Sequence, residues 1–181
     1  MKKISALLML MTFMMSGIIF TSCKKGEIEK KFDLTLNGIV LNSPAQPGSA
    51  PDTVFASQVI TTGIEAKLNE NGATLQNIKK IDLKSVSLTI TTPSGQTFDG
   101  IEYLVSYINA AGLGETKVAY KSPIPQTGLT TITQDSQFSD LTEYIKQSEF
   151  NFILKGYSNT AIPAMTLTAD ISFSITAMVS K

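Results

Sequence analysis

From Met165 to Val179 every second residue is apolar: Met165, Leu167, Ala169, Ile171, Phe173, Ile175, Ala177 and Val179. Between them stand Thr166, Thr168, Asp170, Ser172, Ser174, Thr176 and Met178. Side chains alternate between the two faces of a strand, so this stretch has one apolar face and one small, polar face. A helix would scatter the same residues around its circumference. At about 3.3 Å per residue the run spans roughly 45–50 Å, enough to cross a whole domain. Its register is strongly specified, because a slip of one residue turns the entire apolar set to water. The chain is therefore expected to fold around this strand as the spine of an antiparallel β-structure.

The first residues read as an address. Lys2 and Lys3 precede an apolar run from Ile4 to Phe20, and Phe20-Thr21-Ser22-Cys23 follows. This is the layout of a secretory signal. Its end resembles the lipobox of bacterial lipoproteins, in which small residues precede a Cys that is lipidated and becomes the first residue of the mature chain. Phe20 stands where Leu is usual, and the Thr-Ser-Cys ending flanked by Lys resembles lipoproteins of Bacteroidota. The resemblance covers about the first 25 residues and implies lipidation, with palmitate, at Cys23. The competing reading of this run is an uncleaved membrane anchor, at the short end of what spans a bilayer. By the same analogy Lys24, in the place where Asp retains lipoproteins in the inner membrane of enteric bacteria, points to the outer membrane. The expected organisation is a signal peptide over 1–22, a flexible tether over 23–31, and a single β-sandwich domain over 32–181.

Cys23 is the only cysteine, so no internal disulfide can form and the fold must rest on its core. Once the leader is removed, about 160 residues remain, a length suited to one domain. The 15 basic residues balance the 15 acidic ones, and every basic residue is Lys. Arg is the residue of choice for bidentate recognition of phosphates and bases, so its absence argues against nucleic-acid binding. Lys24, Lys25, Lys30 and Lys31 form the one basic concentration. Beside a lipid anchor they could meet anionic headgroups, but Glu27 and Glu29 interrupt them and favour a solvated tether.

Along the chain, Phe32 to Leu41 reads as a strand with Gly38 as a bulge. Asn42 to Asp52, with three prolines, is a loop. Thr53 to Thr62 is strand-like with imperfect alternation. Ile64 to Leu68 predicts one or two helical turns stopped by an Asn-Gly cap, followed by a second short turn over Thr74 to Ile78. Ile81 to Thr92 is a strand whose apolar phase changes, and a bulge near Lys84-Ser85 would restore one face. It is expected to form a hairpin with Ile101 to Asn109, across a turn at Pro93-Ser94-Gly95-Gln96. Thr116 to Lys121 and Leu129 to Thr133 are short strands. Phe138 to Gln147 is the best helix, with Asp140 and Glu143 spaced for a capping box. Phe150, Phe152 and Leu154 alternate in the strand before the final one. About eight strands separated by turn signals predict a mainly β fold, an antiparallel β-sandwich of Ig-like or jelly-roll-like kind with one or two short helices; a closed β-barrel is the alternative.

The chain contains no His, which excludes Ser-His triads and His-ligated zinc sites. No metal site, cofactor or catalytic residue is expected. The abundant Ser and Thr are good strand formers on polar faces. Asp99 and Glu102 flank Gly100, and paired carboxylates can act as acid and base on glycosides, but two acids beside a turn are more simply solvated. Asn69-Glu70-Asn71 lacks the acidic spacing of a calcium loop and reads as a helix cap. Asp170 lies on the polar face of the last strand, where it could pair with a Lys on a neighbouring strand. Tyr103 and Tyr107 share a parity with Ile101 and Val105, which favours full or partial burial; should that face point outward, the Tyr103-Tyr107 stripe is the candidate contact surface.

The expectation is a non-catalytic, membrane-tethered lipoprotein, a structural or binding module of the cell envelope with an envelope protein or a glycan as partner. Alternatives are a barrel carrying an apolar ligand, a fimbrial or adhesin-like subunit assembling by strand addition, and, weakest, a carboxylate-based hydrolase.

Overall fold

The computed structural model describes residues 26–137 and 140–181. The leader, Cys23 and Phe138 lie outside the described residues. Eight strands are present among those described: β1 (Glu27–Ser43), β2 (Thr53–Thr61), β3 (Ile78–Thr92), β4 (Ile101–Asn109), β5 (Thr116–Lys121), β6 (Thr131–Ser136), β7 (Glu149–Ser158) and β8 (Met165–Ser180). Two short helices, α1 (Ile64–Glu70) and α2 (Thr142–Ile145), and a 3-10 turn at Leu75–Asn77 complete the order. The strands form one sheet in the order β1-β8-β3-β6-β5-β4-β7-β2, with every neighbouring pair antiparallel. The fold is mainly β, as the alternation predicts. The sheet curls as a half-barrel, and its two halves are joined where β5 meets β6 through only two residue pairs, Ala119 with Ser136 and Tyr120 with Asp135.

β8 is the spine. β1 pairs with it from Glu27 opposite Ser180 to Ser43 opposite Met165, and β3 covers its other edge from Ile78 opposite Ala177 to Thr92 opposite Thr166. All eight apolar residues of its alternating set are buried. Each fully buried aliphatic or Phe side chain contributes roughly 1.5–3 kcal/mol relative to exposure, so the set is a large share of what holds the sheet closed. Phe173 meets Phe150 of β7 edge to face, with ring centroids 6.3 Å apart, which ties the two halves across the core.

Bulges keep the neighbouring strands in phase with β8. The β1 register shifts between Leu36 and Ile39, where Gly38 adopts φ 65. Asp170 does not pair with a lysine; its Oδ1 accepts the Gly38 backbone N–H at 2.7 Å and secures the bulge. The β3 register shifts between Leu83 and Ser85, at the predicted position, so that Ile81, Leu83, Val86, Leu88 and Ile90 are all buried.

Other expectations are corrected. Glu27–Lys31, assigned to a flexible tether, are the first residues of β1 and pair with β8. β3 and β4 are not a hairpin: β3 pairs with β8 and β6, whereas β4 pairs with β5 and β7. The segment between them carries the chain from one half of the sheet to the other, anchored by buried Phe98, whose N–H donates to the Leu129 carbonyl at 2.8 Å. β6 begins at Thr131, two residues later than expected, and runs to Ser136. The helix expected over 138–147 is the single turn α2. Asp140 does not cap it through Glu143; its Oδ1 accepts from the Thr142 N–H at 3.0 Å and the Thr142 hydroxyl at 2.6 Å. These bonds hold the Asp140 carboxyl below its ordinary range. The same Thr142 Oγ1 accepts the Ile81 N–H at 2.9 Å, seating the turn on β3.

Gly156 sits in β7 between Thr53 of β2 and Leu104 of β4. A Cβ there would collide with the Tyr103 carbonyl oxygen and stand 2.7 Å from Leu104 Cδ2 and 3.2 Å from Phe55 Cε2. Gly156→Ala is therefore expected to destabilise the protein by about 1–3 kcal/mol. Gly114→Ala, with open space around the added carbon, is expected to stay within about 0.5 kcal/mol. Equilibrium urea unfolding of the two variants measures the difference, and equal midpoints would contradict the packing described.

Candidate functional site

The parity of β4 changes at its start. Its register against β7 shifts between Ile101 and Tyr103. Ile101, Leu104, Ser106 and Ile108 thus face the core, while Tyr103, Val105 and Tyr107 are half-buried on the outer face. The shared parity of Ile101 with Tyr103 is misleading, because the irregularity falls between them. The Tyr103-Tyr107 stripe points outward, the arrangement under which it is a candidate contact surface.

Other strands add to it. In β7 the inward row Phe150, Phe152 and Leu154 leaves Asn151, Ile153, Lys155 and Tyr157 half-buried on the outside. Register sets Tyr103 opposite Tyr157, Val105 opposite Lys155, and Tyr107 opposite Ile153. On the other side of β4, Val105 faces Tyr120 and Tyr107 faces Lys117 of β5. The outer face of β2, β7, β4 and β5 thus carries Tyr103, Tyr107, Tyr120 and Tyr157 with Lys117 and Lys155 among them. From the sequence, Tyr120, Tyr144 and Tyr157 are members of a platform only if some tyrosines face outward, and only Tyr103 and Tyr107 form a stripe. The strict alternation of β7 could have added Lys155 and Tyr157; the pairing of β5 beside β4 is a tertiary fact.

The contacts within this face are specific. Tyr103 and Tyr157 stack with ring centroids 6.1 Å apart and 29° between planes, within the geometry aromatic pairs prefer. Lys155 Nζ lies 4.7 Å from the Tyr107 ring centroid and pairs with Glu115 Oε1 at 2.5 Å. Lys117 Nζ lies 4.7 Å from the Tyr120 ring. The Tyr103 hydroxyl donates to Asp52 Oδ1 at 3.1 Å, and the Asp52 N–H approaches the same hydroxyl at 3.4 Å. Asp52 holds φ 54 at the turn into β2, so the tyrosine pins the loop that launches that strand. Partial burial pushes the Tyr103 hydroxyl up from its ordinary value. The Glu115 carboxylate raises the Lys155 ammonium by accepting its hydrogen bond.

The carboxylates considered for catalysis serve as loop fasteners. Asp99 Oδ1 accepts the Gly128 N–H at 3.0 Å, and Glu102 Oε1 accepts from the Asn159 amide. Asn71 caps α1, its side-chain amide donating to the Lys67 carbonyl at 2.9 Å, and Glu70 pairs with Lys67 at 3.2 Å. Among the described residues no group of three or more His, Cys, Asp or Glu could hold a metal ion, and no helix is long and apolar enough to cross a membrane.

No family model matches the chain, and no curated protein matches it. Among solved structures, one described as the structure of infectious bursal disease virus Gx strain is similar over 86% of this chain and 37% of its own, at 13% identity and a TM-score of 0.29. A likeness that low carries no argument about fold or function.

Lys155 has a raised folded-state value, so its pairing stabilises the fold below the unfolded value of 10.5 and is lost as pH rises through the folded value. Glu115→Gln is expected to lower the Lys155 titration midpoint, followed by NMR of the lysine side chain, and to flatten the alkaline loss of stability. An unchanged midpoint would mean that the ion pair does not persist in solution.

Proposed function

We propose that this chain is a non-catalytic lipoprotein of the cell envelope, tethered by a lipid on Cys23, at the outer membrane rather than the inner, and that it works as a binding module through the outer face of β2, β7, β4 and β5. The observation that carries the contact surface is the gathering of Tyr103, Tyr107, Tyr120 and Tyr157 from three strands onto one outward face. Aromatic rings with polar handles supply large contact area at low entropy cost, and an array flanked by Asp52, Asn151 and the Lys155-Glu115 pair offers both stacking and hydrogen bonding. An envelope glycan or protein is the fitting partner class.

Three features support this reading over its competitors. The inner face of the half-barrel is occupied by Phe55, Phe98, Phe150, Phe152 and Phe173, each almost fully buried, which leaves the apolar-carrier reading without support. Asp99 and Glu102 are engaged in holding loops, which weighs against hydrolase chemistry. β8 has β1 on one edge and β3 on the other, so strand addition, if it occurs, belongs to β1 or β2.

Two experiments test the proposal. Metabolic labelling with a palmitate analogue should mark the full-length chain, and Cys23→Ala should abolish the label and release the protein from membranes; retention of the label by Cys23→Ala overturns the anchor. The lipid-bearing protein in liposomes should retain either the polysaccharide or the protein fraction of its own envelope. Retention should fall at least tenfold, about 1.4 kcal/mol, in a Tyr107→Ala/Tyr157→Ala variant that keeps its thermal midpoint. Unchanged retention overturns the tyrosine face, and turnover abolished by Glu102→Gln overturns the non-catalytic assignment.

A further inference from the structure

The two ends of the strand order differ in chemistry. β1 carries Glu27, Glu29, Lys30, Lys31 and Asp33, and charged side chains on an edge strand discourage pairing with other strands. β2 has neither a charged residue nor a proline over its nine positions. Its beginning is covered, since Gln46 Nε2 donates to the Val54 carbonyl at 3.3 Å and the fully buried Phe55 marks a bulge. β1 approaches β2 from the far side of the curled sheet, yet from Ser57 to Thr61 every β2 residue except Ile60 is exposed. The Thr62 N–H donates to the Ser148 carbonyl at 2.9 Å, toward the β7 side. Backbone groups alternate in direction along a strand. Ser57, Val59 and Thr61 therefore turn their N–H and C=O groups away from β7, and all three residues are exposed. Val59, at 55% exposure, is the most exposed large hydrophobic residue among those described. Along this row Gln58 Nε2 reaches the Val59 carbonyl at 3.0 Å, an exposed bond that a strand N–H can replace.

We infer that this edge pairs with the same edge of a second copy, β2 against β2, antiparallel about a two-fold axis at Val59. Val59 then faces Val59 of the second copy, and Ser57 faces Thr61 of the second copy. Branched aliphatic pairs and hydroxyl pairs are the cross-strand combinations that stabilise antiparallel ladders. The uncharged edge brings no like charges together at the axis, as two β1 edges would. The contact is isologous and closes at a dimer. It continues the antiparallel order of the sheet, and because the axis stands perpendicular to the sheet, the tyrosine faces of both copies lie on the same side. The inference is independent of the lipid on Cys23.

The test uses the full-length chain extracted from its membrane into mild detergent. Residues opposite each other in a hydrogen-bonded antiparallel pair have Cα atoms about 5.5 Å apart, within disulfide reach. Under glutathione oxidation Val59→Cys should give at least tenfold more covalent dimer than Val40→Cys, which is exposed to a similar degree at 50% on β1; the wild-type chain accounts for any contribution of Cys23. Sedimentation equilibrium should show a monomer–dimer equilibrium, weakened at least tenfold by Val59→Lys with no change in thermal midpoint. Equal cross-linking of the two cysteine variants, or a dimer indifferent to Val59→Lys, overturns the pairing. A monomer at every concentration also overturns it.

Discussion

The structure depends on the burial of one face of β8 while both of its edges are hydrogen-bonded. A strand with alternating chemistry over its full length has no freedom of register, and its neighbours must conform to it. β1 and β3 conform through bulges, one at Gly38 and one between Leu83 and Ser85. Each bulge takes up an extra residue, so that apolar side chains on either side of it still point to the core. The first is held from β8 itself, by the Asp170 carboxylate on the Gly38 N–H. The strand that imposes the register thus also supplies the polar group that secures the irregularity.

The other half of the sheet meets β8 only across the core, and the join at β5 and β6 is short. A buried polar contact reinforces it: the Ser106 hydroxyl of β4 donates to Gln134 Oε1 of β6 at 2.5 Å, and Gln134 Nε2 donates to the Leu104 carbonyl at 3.1 Å. All three groups are buried, and a satisfied polar network in such a setting fixes one relative placement of the elements that share it. The half-barrel is therefore held by apolar contact across its interior, with Phe173 against Phe150, and by this hydrogen-bonded clasp near its seam.

The two outer faces differ as a consequence. Over β1, β8, β3 and β6 the outside carries small hydroxyls and ion pairs such as Lys84 with Asp33 at 2.6 Å, and neighbouring hydroxyls bond laterally, as Thr89 does with Thr131 at 3.0 Å and Thr35 with Ser172 at 3.4 Å. Over β2, β7, β4 and β5 the outside carries tyrosines and lysines in stacked and cation-π contact. A hydroxyl-covered β-face is well solvated, whereas half-buried aromatic rings on an outer face retain apolar area that a partner can cover.

Local pattern was enough to determine the mainly β class, the position and inward face of β8, the bulge near Lys84-Ser85, α1 with its Asn71-Gly72 stop, and the extents of β4 and β5. Each follows from side-chain period or from backbone preferences that a few adjacent residues express. Only the tertiary structure decided which strands are neighbours, since pairing between residues far apart in the chain leaves no period to read. That is why β3 and β4, adjacent in sequence, lie in different halves, and why Glu27–Lys31, charged at all but Ile28, nevertheless form a strand once β8 offers its edge. It also decided the face of Tyr103 and Tyr107. One irregularity after Ile101 reverses the parity, and an irregularity of that kind is set by how a strand must bend against its partner, not by the residues within it.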